Sequence, residues 1–170
     1  MENTNSAEKL FNEGMIAFAN DHLEKSLEIL SAAADLDQSY KLTFVGRGSV
    51  YLKLNRLDEA RADFNHAVDL DPGYARAFHL RGLVEEKRGN DEQALLDFTR
   101  AIEIEPEYGA AYHSRVTLLA KMGKEEQAVD DVAMIQHLTG KNLAAYANEN
   151  NVWQSHHLAV EDALETELNR

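Results

Sequence analysis

The chain has 170 residues, a formal net charge of −13 at pH 7, 44% hydrophobic residues and no cysteine. This composition excludes disulfide bonds, thiol catalysis and cysteine-ligated zinc, and its apolar content suffices for one elongated domain. Lysine and arginine form no basic stripe, so nucleic acid is not an expected ligand. The sequence has neither an apolar run of about 18 residues nor a secretory leader, which predicts no membrane insertion and a cytoplasmic location.

The chain is organised by an internal period. Residues 1–6 are polar and are predicted to form a disordered tail. Four gapless blocks follow, at 7–40, 41–74, 75–108 and 109–142. Equivalent residues lie 34 apart, as in Tyr40, Tyr74 and Tyr108, or in Gly14, Gly48 and Gly82. A fixed period of this length is typical of stacked helical units, each of which buries its apolar face against its neighbours.

Each block is predicted to contain two helices joined by a tight turn. In the third block, large and small residues follow the spacing of a helix stripe, first from Phe78 and again from Ala94. The helix pairs are expected to begin near Ala7, Lys41, Ala75 and Gly109. Residues that tolerate the left-handed backbone conformation stand at the predicted turns, namely Asp21, Asn55, Gly89 and Gly123. Pro72 and Pro106 are expected to stop the second helices.

The fourth block departs from the pattern, because Val116 replaces the small eighth residue of the other blocks. After it, residues 143–170 are predicted to form a long capping helix without glycine or proline. Its first half, with Leu143, Tyr146 and Trp153, is expected to pack around Val132 and Ile135 of the fourth block. Its second half predicts an exposed contact stripe of Leu158, Val160, Leu164 and Leu168. A homodimer through this stripe and an unrelated partner are both open.

The block pattern resembles the tetratricopeptide repeat, in which large, small and proline residues fall at these offsets. The third block carries the resemblance most closely, through Phe78, Gly82, Ala94, Phe98, Ala101 and Pro106. The resemblance spans residues 7–142 without insertion. It implies an all-α, right-handed solenoid of four helix hairpins that binds a protein or peptide partner. Because no catalytic motif or metal-ligand spacing accompanies it, neither enzyme activity nor a cofactor is expected.

By that resemblance, the first helix of each pair lines a concave groove. The implied groove residues are Phe11, Asn12, Met15, Phe18, Leu42, Val45, Ser49, Lys53, Arg76, His79, Leu80, Leu83, Lys87, His113, Thr117 and Lys121. They predict an apolar floor at the N-terminal end, which grades into a mildly basic end that carries the histidines. Such a groove suits an extended peptide or an amphipathic helix with apolar anchors.

Two further interpretations concern this groove. His79 and His113 occupy equivalent places and are interpreted as a groove-lining pair sensitive to pH, with a metal site as the weaker alternative. One subgroup of these repeat proteins grips acidic chaperone tails with a two-carboxylate clamp. Only Arg76 fits that clamp here, so a chaperone-tail receptor is not expected. The alternative function is a chaperone or assembly factor that shields a hydrophobic segment of a secreted or complex subunit.

Overall fold

A computed structural model describes residues 2–141, with side chains from residue 6 onward, and every regular element in that range is helical. The elements are α1 (Glu2–Ala19), α2 (Leu23–Leu36), α3 (Lys41–Lys53), α4 (Leu57–Leu70), α5 (Ala75–Lys87), α6 (Asp91–Ile104), α7 (Gly109–Lys121), a 3₁₀ turn (Glu125–Ala128) and α8 (129–141). The predicted capping helix at 143–170 and its contact stripe lie outside the described residues.

The helices form successive antiparallel pairs that stack into a solenoid. Helices α1 and α2, α3 and α4, and α5 and α6 pack as pairs, and each second helix also contacts the first helix of the next pair. The first helices contact one another from pair to pair, whereas α2, α4 and α6 do not. The array therefore curves, with α1, α3, α5 and α7 on its concave side.

The turns within the pairs lie where the sequence predicted them. The backbone angle φ is positive at Asp21 (61°), Asn55 (58°), Gly89 (81°) and Gly123 (69°). Helices α3, α5 and α7 begin at the predicted residues. Helices α4 and α6 end two residues before Pro72 and Pro106, because a residue that precedes proline is disfavoured in the helical conformation.

The beginning of the chain corrects one prediction. Helix α1 begins at Glu2, so residues 2–6 extend the first helix instead of forming a disordered tail. The sequence contains no glycine or proline before Gly14 that would stop a helix there. Ala7 lies within α1 and is fully buried.

A small residue facing a large one sets the close approach of the two helices in a pair. A Cβ atom added to Gly14 would lie 2.7 Å from Cγ of Leu30, and one added to Gly48 would lie 2.8 Å from Cε1 of Phe64. In the fourth block the equivalent residues are Val116 and Val132. The larger residue on the first helix is therefore accompanied by a smaller one on the second.

Candidate protein-interaction groove

Phe11 and Met15, two residues of the predicted apolar floor, lie where α1 meets the next inner helix, α3. The side chains of Phe11 and Met15 lie over the backbone of Gly46 on the next inner helix, where an added Cβ would be 2.9 Å from the Met15 sulfur. The Phe11 ring also meets the Tyr40 ring edge-on, with centroids 5.6 Å apart. Both side chains remain half-buried. The absence of a side chain at Gly46 thus gives Phe11 and Met15 the room to pack against the backbone of α3.

The other predicted floor residues differ in accessibility. Phe18 and Leu42 are half-buried, so each keeps part of its side chain exposed. Val45, by contrast, is 6% exposed and packs in a core cluster with Phe44 and Ala77. It supports the floor from beneath and offers a ligand almost no surface.

Helix α5 presents a stripe of two cations with two leucines between them. Arg76 and Lys87 are exposed, and neither has an ion pair within residues 6–141. Leu80 and Leu83 are half-buried against neighbouring core clusters. Because eleven residues make just over three full helical turns, the two cations lie on one face about 16 Å apart. This stripe is the free positive charge of the groove.

His79 does not line the groove as an open side chain. It is 7% exposed, its Nδ1 lies 3.1 Å from the Tyr108 hydroxyl, and its Nε2 lies 2.9 Å from the Ser114 hydroxyl. Burial lowers the pKa of His79 to about 4, and the charge of Arg76 contributes to the shift. His79 is therefore a neutral link between two repeats, whereas His113 on α7 is exposed. The two do not form the matched pair that the sequence suggested.

The remaining predicted groove residues are mostly occupied by local partners. Lys53 pairs with Asp21 at 2.5 Å and Lys121 with Asp91 at 2.9 Å, and the first of these hydrogen bonds lowers the pKa of Asp21. Ser49 and Thr117 each donate a hydrogen bond to a backbone carbonyl of their own helix. Asn12 is exposed. These residues shape the groove but offer a ligand fewer free groups than their type suggests.

Sequence reasoning missed a ladder of buried ion pairs between the two helices of a pair. Each guanidinium donates two hydrogen bonds to one carboxylate, and the shortest N–O distances are 2.6–2.7 Å. The pairs are Arg47–Asp63, Arg81–Asp97 and Arg115–Asp131. The arginines also donate to a polar side chain of the preceding repeat, as Arg81 does to Asn65 at 3.0 Å. The signal in the sequence is that both the arginines and the aspartates recur at the 34-residue step.

The described residues offer little chemistry besides binding. Between residues 2 and 141, no set of three or more histidine and carboxylate side chains is grouped to hold a metal ion. None of the helices in the same range has the length and apolar character required to cross a membrane.

Stacked helix pairs with a concave inner face define the class of helical-repeat proteins. Family profiles described as TPR repeat and as Tetratricopeptide repeat match residues 48–89 and 75–108, respectively. The chain therefore contains tetratricopeptide repeats, which these matches locate within residues 48–108. A search of the curated proteins gave no match.

Solved structures agree with this fold. A crystal structure of MamA shares 22% sequence identity, covers 82% of each chain and superimposes with a TM-score of 0.75. The first repeat domain of Spaghetti (RPAP3) bound to the HSP90 peptide SRMEEVD shares 23% identity, with a TM-score of 0.68 and coverage of 71% of this chain and 95% of that one. The Sgt2 domain from Aspergillus fumigatus shares 21% identity, with a TM-score of 0.67 and coverage of 72% and 82%. At these identities the comparisons establish the fold.

Proposed function

We propose that the chain is a non-catalytic scaffold that binds a segment of a partner protein in the concave groove. Tetratricopeptide repeats are interaction units, and one structural neighbour, the RPAP3 domain, was solved bound to an HSP90 peptide. The observation that carries the proposal is the half-buried apolar floor on α1 and α3. Phe11, Met15, Phe18 and Leu42 retain partial exposure on a concave face, where an apolar side chain of a ligand could cover them.

The cations of α5 indicate where the partner segment would carry negative charge. Arg76 and Lys87 lack ion pairs among the described side chains, in a protein whose net charge is −13. Acidic groups on a ligand would find their complement there and not elsewhere along the groove, where Lys53 and Lys121 are already paired. The proposed ligand is therefore a segment with apolar anchors toward α1 and carboxylates near α5.

An acidic chaperone tail is a poorer candidate. By family resemblance, the clamp positions are occupied by Phe11, Met15, Gly46, Arg76 and Leu80, which offer one cation in place of a set of lysines and asparagines. A carboxylate placed beside Phe11 and Met15 would lose hydration without gaining a charged partner. The neighbour from RPAP3 was solved with SRMEEVD, which makes this peptide a direct comparison ligand.

Calorimetric titration tests the proposal with two peptide sets, SRMEEVD and helical peptides that combine two apolar anchors with two acidic residues. We expect the second set to bind more tightly. Leu42→Glu should weaken that binding at least about tenfold, since the charge enters the floor. Leu96→Glu is the matched control, because Leu96 is an exposed leucine on the outer helix α6. Tighter binding of SRMEEVD, lost in Arg76→Ala, would contradict the proposal.

The assembly-factor alternative uses the same apolar floor for a different purpose. A factor of that kind would keep a hydrophobic client soluble, whereas a scaffold would bind a folded partner. Light scattering from an aggregating client, with and without equimolar protein, distinguishes the two functions. Suppression that Leu42→Glu removes and Leu96→Glu retains would favour the alternative.

A further inference from the structure

The first repeat carries an uncovered apolar groove on the side that faces away from the second repeat. This groove is here called the N-terminal end face. Its lining residues are Glu13, Ile16, Ala17, Asn20, His22, Lys25 and Ile29. Ile16 at its centre is 62% exposed. The equivalent residues of the following repeats, Val50, Val84 and Leu118, have no exposed surface. Val50, Val84 and Leu118 are each covered by the repeat that precedes them in the structure, whereas Ile16 belongs to the first repeat.

The internal junctions show what kind of helix covers this position. Val84 of α5 packs in one cluster with Ala60 and Phe64 of the preceding helix α4. Leu118 of α7 packs in the same way with Ala94 and Phe98 of α6. The N-terminal end face therefore fits the second helix of a repeat. That helix must carry a small residue and, four positions later, a larger apolar residue.

The other end of the described chain carries such a helix. The 3₁₀ turn and α8 carry Ala128, Val129 and Val132, of which the two valines are exposed, and these three residues are here called the C-terminal end face. Val132 is 40% exposed, although the equivalent Leu30, Phe64 and Phe98 are fully buried. Val129 is 63% exposed, and it is equivalent to Arg61, which lies near Glu85 of the next repeat. At a junction between the end faces, Val129 would lie opposite Ala17.

The polar residues around the two end faces are complementary. Internally, Arg88 pairs with Asp58 of the preceding repeat, and the equivalent residues at a junction of end faces are Asn20 and Glu126. An asparagine amide can donate to that carboxylate. Lys25 on the N-terminal end face is unpaired within residues 6–141, as are Glu125, Glu126 and Asp130 beside the C-terminal end face. Lys25 can therefore pair with one of these carboxylates across such a junction, beside the acidic Glu13 of its own face.

We propose that the C-terminal end face of one copy binds the N-terminal end face of a second copy, so that the chains associate head to tail and continue the solenoid. The contact repeats the internal packing of α4 on α5 and of α6 on α7. It is heterologous, because two different surfaces meet, and it leaves one free end face on each terminal copy. This association uses neither the groove nor its ligand, so it stands independently of the proposed function.

Sedimentation velocity of the full chain tests the proposal, with Ile16→Glu and Val129→Glu as single variants. Both residues are exposed, so each variant should melt like the wild type. We expect the wild type to form oligomers that grow with concentration from about 10 µM to 0.5 mM, as a small interface would. Each variant alone should be monomeric over this range, because one end face is blocked by a buried charge.

Mixing the two variants is the decisive measurement. The mixture retains one intact N-terminal and one intact C-terminal end face, on different chains, so it should form dimers and nothing larger. Loss of association in only one variant would indicate a symmetric contact and overturn the proposal. Failure of the mixture to dimerise would overturn it as well. A monomeric wild type would also do so, and would favour the predicted packing of residues 143–153 on Val132.

Discussion

A Cβ atom built on Gly82 would lie 2.6 Å from Cε1 of Phe98, and the Phe98 side chain has no exposed surface. The ring is enclosed by Ala94 of its own helix and Leu118 of the next repeat, so it has no free space into which it could move. The glycine is thus required by the distance between α5 and α6. The same relationship joins Gly48 to Phe64 in the preceding repeat.

Gly82→Leu should lower the free energy of unfolding by about 3 kcal/mol, because a large side chain forces α5 and α6 apart. The exposed substitution Glu92→Ala on α6 is the control and should change this free energy by less than about 0.5 kcal/mol. Urea unfolding monitored by circular dichroism measures both. Equal midpoints for the two variants would contradict the close-approach argument.

The buried ion pair between Arg81 and Asp97 should also be sensitive to truncation. The Asp97 side chain is 3% exposed, so Arg81→Ala leaves a carboxylate buried without its cation, which costs on the order of 3 kcal/mol. Arg100→Ala in the exposed pair with Glu103 is the control, with an expected effect of about 0.5 kcal/mol. Replacing both Arg81 and Asp97 by apolar residues should recover part of the loss. Urea unfolding of the wild type and the three variants tests this, and a double variant less stable than Arg81→Ala would contradict it.

Stability should depend on pH through His79. Burial first, and Arg76 second, lower its pKa from 6.5 to about 4, so the unfolded chain binds this proton more readily than the folded one. The contribution of neutral His79 to the free energy of unfolding is therefore complete above about pH 6.5, and it is lost as the pH falls toward 4. Between pH 7 and 4, the wild type should lose on the order of 2 kcal/mol more than His79→Gln. Parallel pH profiles for the two proteins would show that His79 does not titrate in this window.

Features that depend on residues within one repeat could be predicted from the sequence, whereas features that depend on contacts between stacked repeats could not. The turn at Asn55 and the close approach at Gly48 depend on residues within one repeat, so periodicity was enough to place them. The burial of His79 depends on Tyr108 and Ser114, which approach it only when repeats stack. The arginine ladder was missed although both members follow the period, because the apolar pattern already explained the fold. The concave groove itself came from family resemblance.

The segment beyond His157 distinguishes two routes to self-association. The sequence predicted a contact stripe at Leu158, Val160, Leu164 and Leu168, whereas the proposed end-face junction needs only residues 13–29 and 125–132. We therefore expect a chain ending at His157 to associate over the same concentration range as the full chain, within about threefold in apparent Kd. Sedimentation velocity of both lengths measures this. The variant Leu164→Glu in the full chain provides a second test, since it changes the stripe without shortening the chain. If truncation and Leu164→Glu both abolish association while Ile16→Glu does not, the stripe is the interface and the end faces are not.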